Sequence, residues 1–238
     1  MNVALKHNYI QVREHDRRSV GGNQEYFKGR PGFFSKYKHH NGCGIVALGD
    51  LMLYLLGKEG KMLRSKGVMY GKDFESVDDY RDYFNTVMRL SKWIPSGLGV
   101  SNLFLTLAFN GMCMRLGIPY RGRWGLLRQN IYRNVQKMLE RDIPVILCIP
   151  YIINPLRKKT MKLKMYIPGK GGEYVRVNGH FVTIIGLETH DNRSFYKVSS
   201  WGKVFEIDVD EFDYFAKSVA FGGILGNVLI VRKKKKMA

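Results

Sequence analysis

The segment HFVTIIGLETHDNRSFYKVSSW, residues 180–201, constrains the fold more than any other stretch of this chain. Two runs rich in β-branched and aromatic residues flank the polar THDN, which is how an antiparallel hairpin reads in sequence. With a turn near residues 190–191, antiparallel partners have numbers that add to about 380, so His180 at the mouth of the hairpin faces residue 200 or its neighbour. Further strand-like runs surround it: IPVILCIP at 143–150, two short runs about the GKGG turn in KMYIPGKGGEYVRV, then KVFEIDV and finally NVLIVRK. VILCI is apolar throughout and suits a strand covered on both faces. DVDEFDYFAKS, with its acidic first turn, predicts a short helix.

The first half of the chain has the other period. Ile45, Val46, Leu48, Leu51, Met52 and Leu55 recur at helical spacing, and Gly57 closes the run. Helices are also predicted over 78–93, 100–116 and about 130–141. The first thirty-odd residues, polar and punctuated by glycine, read as extended or loop structure. Helices first and antiparallel strands afterwards make an α+β chain. Neither a repeat nor a linker is evident in the sequence, so the expectation is one domain of two lobes, with its core over about 24–231.

The chain has 238 residues, enough for a substantial core. The apolar run that begins VSNLFLTLAF is broken by Asn102, Thr106, Asn110 and Arg115, short of the roughly 18 residues a membrane span requires. No span is expected, and without an apolar signal region at the N-terminus the expected location is cytoplasmic. Lys and Arg number 39 against 20 acidic residues, a net charge of +19. RKKTMKLK at 157–164 lies in a basic insertion at about 154–176, and RKKKKMA at 232–238 reads as a disordered basic tail. Such a balance favours nucleic acid, an anionic membrane surface, an anionic polymer such as that of a cell wall, or an acidic substrate as partner. It carries no RNA-recognition, helix-turn-helix or zinc-finger signature.

Three cysteines without a C-x-x-C exclude a disulfide framework and a structural zinc site, and no organic cofactor is implied either. Cys43, in HHNGCGIVALGD, differs from the other two. It opens a helix, where the macrodipole and unclaimed backbone N–H groups favour the thiolate, and Gly42 and Gly44 leave room for a substrate backbone. Cys113 and Cys148 lie in apolar surroundings and read as core. Among the six histidines, His180 is the best-placed base. His7 and His15 stand in a polar segment, His190 in the hairpin turn, and His39 and His40 on a loop ahead of the helix. The hairpin register offers Ser199 or Ser200 as the group that holds the imidazole, with Trp201 shielding that bond from water.

The order of these features resembles the papain-like cysteine peptidases. CGIVALGDLMLYL, LERDIPVIL, GHFVTIIGLE and the VDEF helix after the hairpin are most similar to the bacterial papain-like group that includes the double-glycine leader peptidases. The likeness runs from about Gln24 to Phe215. It implies a two-lobed domain in which an N-terminal helical lobe, bearing the cysteine helix, packs on a C-terminal antiparallel sheet. It also implies a thiol hydrolase, a peptidase or amidase with a peptide or amide substrate. Cys43 is then the nucleophile, His180 the base and Ser199 the orienting third member, with Ser200 as the alternative. Two positions depart from the family. Ser199 stands where Asn or Asp is usual, and Tyr37 stands where the oxyanion glutamine is usual, six residues before the cysteine. Gln24 is the substitute candidate for the oxyanion hole, together with the Cys43 N–H. The alternative reading is a papain-like binding module of little activity that recognises an acidic peptide or polymer.

Overall fold

A computed structural model describes residues 2–28, 42–65, 68–91, 101–125, 131–154, 159–218 and 226–234. Its elements follow in chain order. Short strands β1 (Val3–Ala4), β2 (Gln11–Glu14) and β3 (Arg17–Val20) precede a 3₁₀ turn at Gln24–Phe27. Helix α1 (Cys43–Lys58) leads into β4 (Leu63–Ser65), β5 (Val68–Tyr70) and β6 (Asp73–Phe74). Next come α2 (Val77–Leu90), α3 (Asn102–Arg115), β7 (Tyr120–Trp124) and α4 (Ile131–Glu140). The strands β8 (Val145–Ile149), β9 (Ile152–Asn154), β10 (Lys159–Met161), β11 (Leu163–Tyr166) and β12 (Tyr174–Val177) follow. The chain ends with β13 (His180–His190), β14 (Arg193–Ser200), β15 (Lys203–Asp208), α5 (Val209–Lys217) and β16 (Leu229–Lys233). This is the expected α+β composition. Among the described residues, no helix is long and apolar enough to cross a membrane.

The chain divides into two compact units, one of Met1–His7, Trp124–Ser200 and Val204–Ile230, the other of Asn8–Arg123, Trp201–Lys203 and Val231–Ala238. The first is built on a seven-stranded sheet in the order β1-β13-β14-β15-β11-β12, with β8 also on β13. Strand β13 is the axis of this sheet. Its first half pairs antiparallel with β8, from His180 opposite Ile149 to Ile184 opposite Val145, and Gly186 and Leu187 take up β1. All five residues of β8 are buried, as its unbroken apolar run predicts. Helix α4 turns Ile131, Val135, Met138 and Leu139 inward at helical spacing. Helix α5 is capped by Asp208, whose carboxylate accepts the Glu211 N–H at 2.9 Å. The expected basic insertion does not stand apart from the fold. β11 and β12 within it form a hairpin, and Tyr166 of β11 pairs with Glu206 of β15.

The second unit is centred on α1, in which every residue from Gly44 to Leu56 is buried. A helix apolar on all sides needs neighbours around it; α2 and α3 pack on it. The N-terminal segment, read as extended or loop structure, is in part extended and paired: β2 pairs with β3 antiparallel and with β6 in parallel. Ile10 and Val12 are fully buried there. Arg232 and Lys233, expected in the disordered basic tail, instead complete β16. The Lys233 ammonium meets the Glu59 carboxylate at 2.7 Å, and the Lys234 N–H donates to Pro119 O at 2.7 Å.

Candidate functional site

Cys43 is the first residue of α1 and is half-buried. Gly42 precedes it as N-cap and has no side chain to offer. The first intrahelical bonds are donated by Ile45 and Val46 to Gly42 O, at 3.0 and 2.8 Å. Cys43 therefore stands in the first turn of the helix, where the helix dipole favours negative charge.

Two turns along α1, at Asp50, the helix takes hold of the segment that carries Gln24. Asp50 is buried, and its Oδ2 accepts the Gly22 N–H at 2.8 Å while its Oδ1 accepts the Tyr80 hydroxyl at 2.9 Å. Burial pushes this carboxyl up to about 7 despite the two hydrogen bonds that oppose it. Gly22 is held on its other side as well, since its carbonyl accepts the Gly202 N–H at 3.2 Å. A Cβ on Gly22 would lie 1.8 Å from the Tyr80 hydroxyl, so only glycine admits this approach. Beyond it, Asn23 caps the 3₁₀ turn, and buried Tyr26 and Phe27 anchor it; the Phe27 ring lies 4.6 Å from that of Phe84. Gln24 opens the turn, and its Oε1 is buried with no hydrogen-bond partner among the described residues. Sequence reasoning passed over Asp50, although a carboxylate inside an unbroken apolar helix is a visible signal.

His180 opens β13 in the other unit. Gly179, at φ +59°, turns the chain into the strand, and its Cα lies so close to Tyr151 that an added Cβ would be 3.4 Å from that residue's Cβ. The imidazole is 6% exposed, and desolvation pushes it down to about 4, so it is neutral at pH 7. Its Nε2 lies 2.7 Å from Ser200 Oγ. Ser199 pairs with Thr183 and so stands on the opposite face of β14.

A one-residue irregularity sets which serine shares the face of His180. From His190–Arg193 to Gly186–Lys197 the β13–β14 register runs in one phase, and it shifts between Ile184 and Gly186. Below that bulge, Ile184 is opposite Val198 and Thr183 opposite Ser199. Side chains alternate faces along a strand, so the phase after the bulge sets even-numbered residues of β14 beside His180. Without the bulge, Ser199 would have had that face. The turn itself is Asp191–Asn192, at φ 50° and 58°, one residue later than predicted. Two successive positive φ values are the mark of a type I′ hairpin.

Trp201 and Gly202, at φ 51° and 69°, make a second turn of the same kind between β14 and β15. Gly202 accepts the Val20 N–H at 2.9 Å, so this turn and the Gly22–Gln24 segment belong to one hydrogen-bonded cluster. Among the other histidines, His7 binds Asp142 at 2.7 Å, His15 sits in an exposed turn and His190 stacks on Phe195. His39, His40 and Tyr37 lie outside the described residues. Cys113 and Cys148 are buried, and burial pushes the Cys113 thiol up to about 12. No cluster of metal-ligating side chains occurs among the described residues. No protein-family model matches the chain, and no curated protein matches it.

Proposed function

We propose that this chain is a papain-like cysteine hydrolase acting on a peptide or amide carbonyl. The observation that carries the reading is the bond between His180 Nε2 and Ser200 Oγ at the head of β13. With Nε2–H donating to Ser200 Oγ, Nδ1 is the basic nitrogen, which is the tautomer this scheme uses. Cys43 Sγ attacks the carbonyl carbon and its proton passes to His180. The oxyanion that forms is met by the Cys43 N–H and the Gln24 amide, a pair of donors worth about 10²–10³ in rate for each one lost. His180 then protonates the leaving amine, and water, deprotonated by the same imidazole, releases the acid from the thioester. Ser200 orients the ring and is a positioning residue in this scheme; Ser199 is left on the opposite strand face.

One observation favours a second reading, a papain-like module that binds without turnover. His180 is so desolvated that it is a weak base. Alkylation of Cys43 by iodoacetamide as a function of pH, read by mass spectrometry with Cys113 and Cys148 as internal controls, separates the two. An activated pair labels Cys43 well below the range of an ordinary thiol, and His180→Ala abolishes that advantage. Ordinary thiol behaviour at Cys43, unchanged in His180→Ala, would leave the binding module.

A further inference from the structure

Helix α3 carries large apolar side chains on its outer side as well as its inner one. Leu105, Ala108, Phe109, Met112 and Cys113 are buried, whereas Leu103, Leu107 and Met114 are 65%, 45% and 79% exposed. At about 100° per residue these three fall within roughly 40° of one another over about 16 Å. Asn110 shares this face between Leu107 and Met114, and its amide is bonded to the Gly122 backbone of β7 at 2.8 and 2.9 Å, which brings exposed Arg121 and Arg123 beside it. Beside the C-terminal end of α3 lies the β4–β5 hairpin, tied there by the Lys61 ammonium, which donates to Gly117 O at 2.8 Å. Met69 pairs with Arg64 on that hairpin, and Met62 and Met69 are each about half exposed. Residues 58–72 and 101–125 contain a single acidic side chain, Glu59, and Lys233 is bound to it. The same stretches carry Lys58, Lys61, Arg64, Lys72, Arg115, Arg121 and Arg123.

We propose that α3 and the β4–β5 hairpin form a docking surface for an anionic lipid bilayer. An interfacial helix sinks its apolar stripe into the headgroup–acyl boundary while cations at its margin meet lipid phosphates. The features here match both halves of that description, and they lie within one compact unit. Charge complementarity selects this occupant over a second copy of the chain, because two molecules of +19 repel. The exposed side chains are leucine and methionine, whereas a nucleic-acid surface offers aromatic rings on which bases stack.

The test is co-sedimentation of the full chain with vesicles of phosphatidylcholine alone or mixed with phosphatidylglycerol, at low and high salt. Two variants accompany it, Leu103→Ser/Leu107→Ser/Met114→Ser and Arg64→Gln/Arg121→Gln/Arg123→Gln, each checked for unchanged circular dichroism and melting. The expected result is binding to the mixed vesicles only. The apolar variant should weaken it by at least about tenfold, and the arginine variant by about fivefold per cation removed. Equal binding to both vesicle types overturns the proposal, as does binding that the apolar variant leaves intact. Absence of vesicle binding also overturns it, whether or not the protein captures duplex DNA or polyglutamate instead.

Discussion

Replacing Asp50 by Asn should make the protein more stable at neutral pH, although the side chain is buried and doubly hydrogen-bonded. The free carboxylic acid titrates near 3.8, and burial among α1, α2 and the Gly22 segment raises Asp50 to about 7. The folded chain therefore holds this proton to higher pH than the unfolded chain does. Between about pH 4 and pH 7 the folded state binds more protons, and stability falls as the pH rises through that window. At 1.36 kcal/mol per unit the loss is on the order of 4 kcal/mol. At pH 4 the acid is neutral and offers a carbonyl acceptor and one O–H donor, whereas an asparagine amide offers the same acceptor and two N–H donors. The Gly22 N–H keeps an acceptor, and the Tyr80 hydroxyl rotates to accept from the new amide. Because its second amide N–H gains no partner, Asp50→Asn should cost about 1–2 kcal/mol at pH 4 and stabilise by roughly 2–3 kcal/mol above pH 7. His180 sharpens the contrast, because its linkage has the opposite sign. Its unfolded imidazole protonates near 6.5 and its folded one near 4, so stability rises over that interval, by on the order of 3 kcal/mol. The two slopes offset each other in the native chain, and the asparagine variant exposes the rising one. Urea unfolding of both proteins at half-unit steps from pH 4 to 8 measures the gap. Parallel curves, or a gap that widens against the variant as pH rises, would refute the reasoning.

Ser200→Ala should slow Cys43 alkylation near neutral pH by about tenfold or more and cost about 1–2 kcal/mol in urea unfolding by stranding a buried ring nitrogen. Ser199→Ala, on the opposite strand face, should leave the alkylation rate nearly unchanged. Gly22→Ala should cost about 3 kcal/mol or more, because its Cβ cannot coexist with the Tyr80–Asp50 bond. Gly60→Ala is its control, since nothing lies within 4 Å and only the φ of +66° opposes it, at about 1 kcal/mol; unfolding midpoints compare the two.

Local pattern made the long elements legible. α1, the β13–β14 hairpin and buried β8 were all readable, because burial marks each in its own sequence: an apolar run of helical length in α1, strand residues about a polar turn in the hairpin, and a short unbroken apolar run in β8. The first thirty residues were not, because β2 and β3 are short and their exposed ends are charged. What makes them strands is pairing with distant chain, which no local window contains. The choice between Ser199 and Ser200 turned on one extra residue near Ile185. Gly186, lone in a strand of β-branched residues, was the available hint of a bulge, and it was not read. The hairpin arithmetic came within two or three residues of the register and still could not decide a question of parity. Lys233 escaped from an apparently disordered tail because its partner, Glu59, lies far away in sequence.

The pairing of β1 has a consequence for how the chain is made. Val3 waits for Leu187, Lys6 for Asp142, and the Val20–Gly22 stretch for Gly202. On a ribosome adding about 5–20 residues per second, the N-terminal segment emerges roughly 10–40 s before its last partners exist. During that interval α1, apolar on every side, has left the exit tunnel while Gly202 has yet to be synthesised. Apolar surface exposed for that long invites aggregation, so slower translation should lower the soluble yield.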